Sequence, residues 1–191
     1  AGIQQRIKNA ASARPVQLLA VSKLQSEAAI RALYALGQRG FGENYVQEAE
    51  AKRRALADCS DIEWHLIGHL QSNKSEQAAA LFDWVHSIDR PKLIAALAKY
   101  RLGKPPLQVL IQVNIDDEAS KSGCQPEQIA AVLKVAGLQV DVEMITKPER
   151  GHWPAIAVMT SGQVVLVLGQ DRDNVFVYDR SRPDGRAEVP L

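Results

Sequence analysis

The sequence predicts an α/β fold: an incomplete (β/α)8-type barrel of five parallel βα units, followed by an antiparallel β meander. Three observations carry this prediction. Short apolar runs begin near residues 18, 41, 63, 84 and 108, at intervals of 21 to 24 residues. Between them, apolar positions recur at helical spacing beside capping residues, and such alternation with short loops requires parallel strands and right-handed crossovers. After about residue 138 the apolar runs are separated only by turn-rich connections, too short for a crossover, which demands antiparallel pairing. The predicted organisation is a barrel-like part over 1–133 and an antiparallel part over 134–191, with the tail strands placed to complete the sheet and cover its open edge.

Each element has a local reason. Residues 3–12 read as a short helix, with Ile3 and Ile7 one turn apart. Leu18-Leu19-Ala20-Val21-Ser22-Lys23 is the first strand, four apolar residues that stop at a polar mouth. Ser26 suits an N-cap, Ile30, Leu33 and Leu36 share a helical face, and Gly37 is the stop. Phe41-Gly42-Glu43-Asn44 is the second strand with its exit, leading to a helix from about Tyr45 to Leu56. Glu63–Ile67 is the third strand, Ser75–Leu81 a helix and Trp84–Ile88 the fourth strand. Pro91 fits the first turn of a helix whose apolar face is Leu93, Leu97 and Tyr100. Val109–Asn114 is the fifth strand, and a helix runs from Pro126 to a stop at Gly137. The tail offers strands at Pro154–Met159, Val164–Leu168, Val175–Tyr178 and Glu188-Val189.

Composition bounds the function. With 191 residues, 46% hydrophobic and 24% charged, the chain has the make-up of a soluble globular protein of one to one and a half domains. A net charge of +1 argues against nucleic acid as the main partner. No apolar run approaches the roughly 20 residues that span a bilayer, and no signal peptide is expected before the first helix. Cys59 and Cys124 lie in unrelated contexts and read as free thiols of a reducing compartment, which points to the cytoplasm.

The chemistry is expected at the carboxyl ends of the strands, where α/β barrels carry their sites. Lys23 stands at such an end. Desolvation there would ease loss of its proton, which makes it a candidate for Schiff-base formation with an aldehyde such as pyridoxal phosphate. The alternative is a solvated lysine at a strand end. The other strand ends give Phe41-Gly42-Glu43-Asn44-Tyr45-Val46-Gln47-Glu48 and Trp64-His65-Leu66-Ile67-Gly68-His69-Leu70-Gln71-Ser72-Asn73-Lys74. They continue with His86-Ser87-Ile88-Asp89 and with Asn114-Ile115 before Glu118-Ala119-Ser120-Lys121-Ser122-Gly123.

Together, in this order and spacing, these motifs resemble the pyridoxal phosphate homeostasis protein family over about residues 3–133. That resemblance implies an alanine-racemase-like barrel that binds pyridoxal 5'-phosphate without catalysis, with Lys23 as the Schiff-base residue. It implies a carrier that buffers the cofactor, with apo forms of pyridoxal phosphate enzymes as partners. Asn44 would contact the pyridine ring or its hydroxyl, or else is a turn-forming residue. His69 would stack on or hydrogen-bond near the cofactor. His65 is expected to point the other way as a packed strand histidine, and His86 to be structural. Asn73 and Lys74 join the cofactor-binding set, the alternative being a cap and a solvated side chain. Lys121, in a polar loop, would handle free aldehyde or phosphate, or is a surface lysine.

The chain departs from the family where the phosphate should be held. It has no Met-Gly-Met-Ser-like segment and no Gly-Ser-Thr followed by Val-Arg-Ile-Gly, which in the family follow the later strands. A phosphate dianion needs several backbone N–H groups or a helix N-terminus. From Leu133 onward the chain is instead similar to the later part of a C39-peptidase-like domain. Ala136-Gly137-Leu138, Trp153–Val158, Gly162–Leu168 and Val177-Tyr178-Asp179 carry that likeness. Gln163-Val164-Val165 stands where an active peptidase has its histidine, so peptidase chemistry is not expected. Arg150, His152 and Trp153 read as a peptide-contact edge or as loop packing. The chain therefore reads as a chimera, either a non-catalytic cofactor carrier or a scaffold with a vestigial site. A racemase ranks last, because no tyrosine acid stands opposite Lys23.

Overall fold

The computed structural model describes residues 2–10, 16–114, 121–137, 155–158, 164–170, 174–178 and 186–190. The chain divides into two compact units, Ala1–Gln112 and Val113–Leu191.

The first unit opens with α1 (Ile3–Ala10) and then alternates strand and helix: β1 (Ala20–Val21), α2 (Glu27–Ala35), β2 (Gly40–Glu43), α3 (Val46–Ala55) and β3 (Glu63–Leu66). A 3-10 turn at Ser72–Lys74 leads into α4 (Ser75–Leu81), β4 (Trp84–Ile88), α5 (Pro91–Arg101) and β5 (Gln108–Ile111). The five strands form one sheet in chain order, every pair parallel, with Ala20 opposite Phe41, Phe41 opposite Trp64 and Val85 opposite Val109. The local signals act as expected. Ser26 caps α2, its hydroxyl accepting from the Ala29 N–H at 3.3 Å. Gly37 takes a φ of +91° after the helix, and Pro91 opens α5. β1 is shorter than the sequence implied, and β5 ends at Ile111, with Val113 reduced to an isolated bridge to Cys124.

Alternation along the strands gives the sheet two faces. Phe41, Glu43, Trp64, Leu66 and Val85 share one face, all at most 4% exposed. They pack with the buried helix residues Ile30, Val46, Ala49, Leu93 and Leu97 to form the core. Leu19 and Val21 alternate to the other face, with Gly40 and Gly42, then His65 and Ile67, then Trp84 and His86. Contacts across strands fix this assignment. A Cβ on Gly40 would lie 3.5 Å from His65 Nε2 and Leu19 Cδ1, one on Gly42 3.1 Å from Ile67, and the rings of His65 and Trp84 stack. This is the face that would line the lumen of a closed barrel.

In the second unit, Asn114 N–H donates to the Cys124 carbonyl at 2.9 Å, and a 3-10 turn at Pro126–Gln128 leads into α6 (Ile129–Val135). The tail strands β6 (Ala155–Val158), β7 (Val164–Gln170), β8 (Asn174–Tyr178) and β9 (Arg186–Pro190) pair antiparallel in chain order. The meander is as predicted. It is a sheet of its own, however, rather than an extension of the parallel one, because its strands pair with one another. Glu118–Ser120, Arg150, His152, Trp153, Gln163 and Asp179, all singled out in the sequence, lie outside the described residues.

Candidate functional site

β1 ends in a tight turn. Gln25 N–H donates to the Ser22 carbonyl at 3.0 Å, which places Lys23 and Leu24 at its centre. Leu24 has a φ of +61°, a conformation costing a residue with a Cβ roughly 1–2 kcal/mol. Lys23 itself is exposed. The desolvation expected from its place at a strand end is therefore not seen, because Lys23 lies in the turn beyond Val21, the last residue of β1.

Beneath this turn, on the helix-covered face, lies a charged cluster. Lys52 of α3 has a side chain only 5% exposed and spends all three ammonium protons on hydrogen bonds. It donates to Glu43 Oε1 at 2.8 Å, to Glu48 Oε1 at 2.7 Å and to the Ser22 carbonyl at 2.7 Å. Glu43 also accepts from the Ser22 hydroxyl at 2.6 Å, and Glu48 from the Leu24 N–H at 2.6 Å. Burial pulls the Lys52 ammonium pKa down, but its bonds to Glu43 and Glu48 outweigh this and hold it above the ordinary lysine value. The hydrogen bond from Lys52 holds the Glu48 carboxyl below the usual range.

Asn44, half-buried, leaves β2 next to the exit of β3. The two chains nearly touch: a Cβ on Gly68 would lie 2.3 Å from the Asn44 carbonyl oxygen, so only glycine fits. His69 follows and is exposed, its Nδ1 3.5 Å from Asp89 Oδ2. Arg90 ties this loop to the end of β4. It pairs with Asp89 at 2.6 Å and donates to the Leu70 carbonyl at 3.0 Å and the Ser72 hydroxyl at 3.5 Å. Asn73 is exposed and Lys74 half-buried on the 3-10 turn so held. Lys23 and Asn44 thus follow the carboxyl ends of adjacent strands, with His69, Asn73 and Lys74 on the loop after the third. Lys121 is exposed and belongs to the second unit.

The amino end of the same face holds a different group. His65 Nδ1 lies 2.9 Å from His86 Nε2, and the His65 ring stacks on Trp84 at 5.6 Å. His65 is thus a packed strand histidine, on the face of Gly40 and Gly42, since strand alternation puts Trp64 and not His65 among the helices. Burial lowers the pKa of His65, with a further push from His86, and burial lowers that of His86. These rings line a cavity of about 610 Å³ together with Leu19, Gly40 and Glu63.

Sequence reasoning missed Lys52, Glu48 and Arg90. Glu48 and Lys52 did leave a signal, an acid four residues before a base on a predicted helix.

Three comparisons place these features. A pyridoxal phosphate homeostasis protein from Pseudomonas aeruginosa is 49% identical over 138 residues, covering 69% of this chain and 60% of the relative. PipY of Synechococcus elongatus, solved without pyridoxal phosphate, matches at 44% identity and a TM-score of 0.62, over 72% of this chain and 66% of PipY. The same protein with pyridoxal phosphate bound matches at 43% identity and a TM-score of 0.58, with the same coverage. The chain spans between half and three-fifths of the length of the curated relatives it matches. Residues 3–147 match the family model of the alanine racemase N-terminal domain, past the boundary drawn at 133, and the chain belongs to that family.

Proposed function

We propose that the chain binds pyridoxal 5'-phosphate without catalysing a reaction on it, through Lys23, and serves to carry or buffer the cofactor. The observation that carries this reading is the position of Lys23, an accessible amine just past the carboxyl end of β1, with Asn44 just past the end of the adjacent β2. It is supported by the similarity to PipY, whose structure has been solved with pyridoxal phosphate bound. Pyridoxal phosphate, when bound, would supply an aldehyde, and Lys23 would be the amine presented to it. Asn44 offers a donor and an acceptor to the ring, and Arg90 holds the loop that presents His69, Asn73 and Lys74. The residues fit the aldehyde end of the group. The phosphate end has no counterpart in the sequence to the family's later loops, so binding is expected to be weak. Lys121 is the further amine assigned to aldehyde or phosphate, the cytoplasm the expected compartment, and apo pyridoxal phosphate enzymes the recipients.

The test is an absorbance titration with pyridoxal phosphate, then borohydride reduction and peptide mapping, comparing wild type with Lys23→Ala. A reduced adduct concentrated on Lys23 supports the proposal, and labelling spread evenly over the lysines defeats it. The exposure of Lys23 favours a second reading, a scaffold with a vestigial site, which predicts that even labelling. For the tail, the C39-peptidase-like reading rests on the sequence likeness alone, and residues 134–147, assigned to that part, lie within the family match.

A further inference from the structure

We infer that Glu48, held in place by Lys52, is a positioning residue for Lys23: it selects the orientation of the turn on which the amine stands. The inference rests on the proposed role of Lys23 and adds a device that no sequence motif announced. The Ser22–Gln25 turn has its positive φ at the third position, the signature of a type II turn, which ordinarily requires glycine or asparagine there. Leucine occupies that position. Its own preference is the type I turn, which differs by a flip of the central peptide between Lys23 and Leu24. The N–H of that peptide is the group that donates to Glu48 Oε1 at 2.6 Å. A flip would break this charge-assisted bond and turn the Lys23 carbonyl toward two carboxylates.

The other end of the turn is held as well. Ser22 is fixed through its carbonyl by Lys52 at 2.7 Å and through its hydroxyl by Glu43 at 2.6 Å. The residues on either side of Lys23 are therefore gripped by Glu43, Glu48 and Lys52, while the Lys23 side chain itself is exposed. Fixing the base of a long, mobile side chain removes backbone states that binding would otherwise have to restrict. Lys52 serves Glu48 in turn, because a carboxylate 22% exposed could not otherwise be kept charged and directed at one amide.

The test combines amide hydrogen exchange on the free protein with pyridoxal phosphate binding at Lys23, for wild type, Glu48→Ala and Glu48→Ala with Leu24→Gly. In Glu48→Ala the Leu24 amide should exchange about tenfold faster or more, with the Phe41 and Leu66 amides unchanged, and affinity at Lys23 should fall about tenfold. Glycine at position 24 accepts the positive φ without help, so the double variant should regain most of that affinity. A role confined to stability would not be rescued in this way. Should Glu48→Ala fail to fold, Glu48→Gln gives the same pattern with smaller changes. Unchanged Leu24 exchange, unchanged affinity or absent rescue overturns the inference, while a Lys23 adduct in wild type leaves the cofactor reading standing. A wild-type chain that forms no Lys23 adduct overturns both.

Discussion

The two faces of the parallel sheet are built on opposite terms. On the helix side, Phe41, Trp64, Leu66 and Val85 are packed to 4% exposure or less, and the charges admitted there, Glu43 and Lys52, are paired. On the other side, Val21 is 54% exposed, β2 presents glycines, and the polar groups of the strands are the histidines His65 and His86. Both faces come from the same strands, residue by alternate residue. The first supplies the energy of the fold, and the second is freed from that task and can be given to a ligand.

The contrast can be broken most severely at Lys52. Lys52→Met leaves the fully buried Glu43 carboxylate without its counter-charge, which should cost about 3–5 kcal/mol in a denaturant titration. A loss under 1 kcal/mol would mean that the cluster is not a structural element of the helix side. Next is Gly68→Ala, which drives a Cβ into the Asn44 backbone and should cost about 1–3 kcal/mol while displacing Asn44. The accompanying loss of pyridoxal phosphate affinity is read in the titration already described.

A smaller effect distinguishes the histidine end of the open face. His65 and His86 have folded-state pKa values below the ordinary 6.5, so the unfolded chain binds protons before the native one. Stability should therefore decline as pH falls from 8 to 5.5, and His65→Asn should flatten that slope in thermal melts. A wild-type slope no steeper than that of the variant would contradict the burial of the pair. The least effect is expected from Val21→Ser on the open face, within about 0.5 kcal/mol of wild type. A cost comparable to a core truncation would show that this face is covered in solution.

The architecture was legible because each signal that defines it is local. Ser26, Gly37, Pro91 and the alternating runs fix strand and helix wherever the rest of the chain lies. What stayed hidden depends on which face a residue takes and on what lies across from it. Lys23 was expected to be desolvated at a strand end, whereas the strand stops at Val21 and leaves it in an exposed turn. The face of His65 follows only from the burial of its neighbour Trp64 among the helices. Glu43 reads as the polar end of a strand and Glu48 as the first turn of a helix, and the partner that draws both inward is Lys52, one turn further along that helix. Nothing about a leucine announces a positive φ. Position 24 becomes intelligible only when the carboxylate below it is seen.

The stacking of Trp84 on His65, with ring planes 9° apart, also gives the protein a built-in optical probe. A protonated imidazole against an excited indole withdraws electron density and dims its emission, whereas the neutral ring does so far less. The brightness of Trp84 should thus track the charge of its neighbour, and Trp84→Phe should remove that contribution to the pH dependence while Trp64 and Trp153 continue to emit.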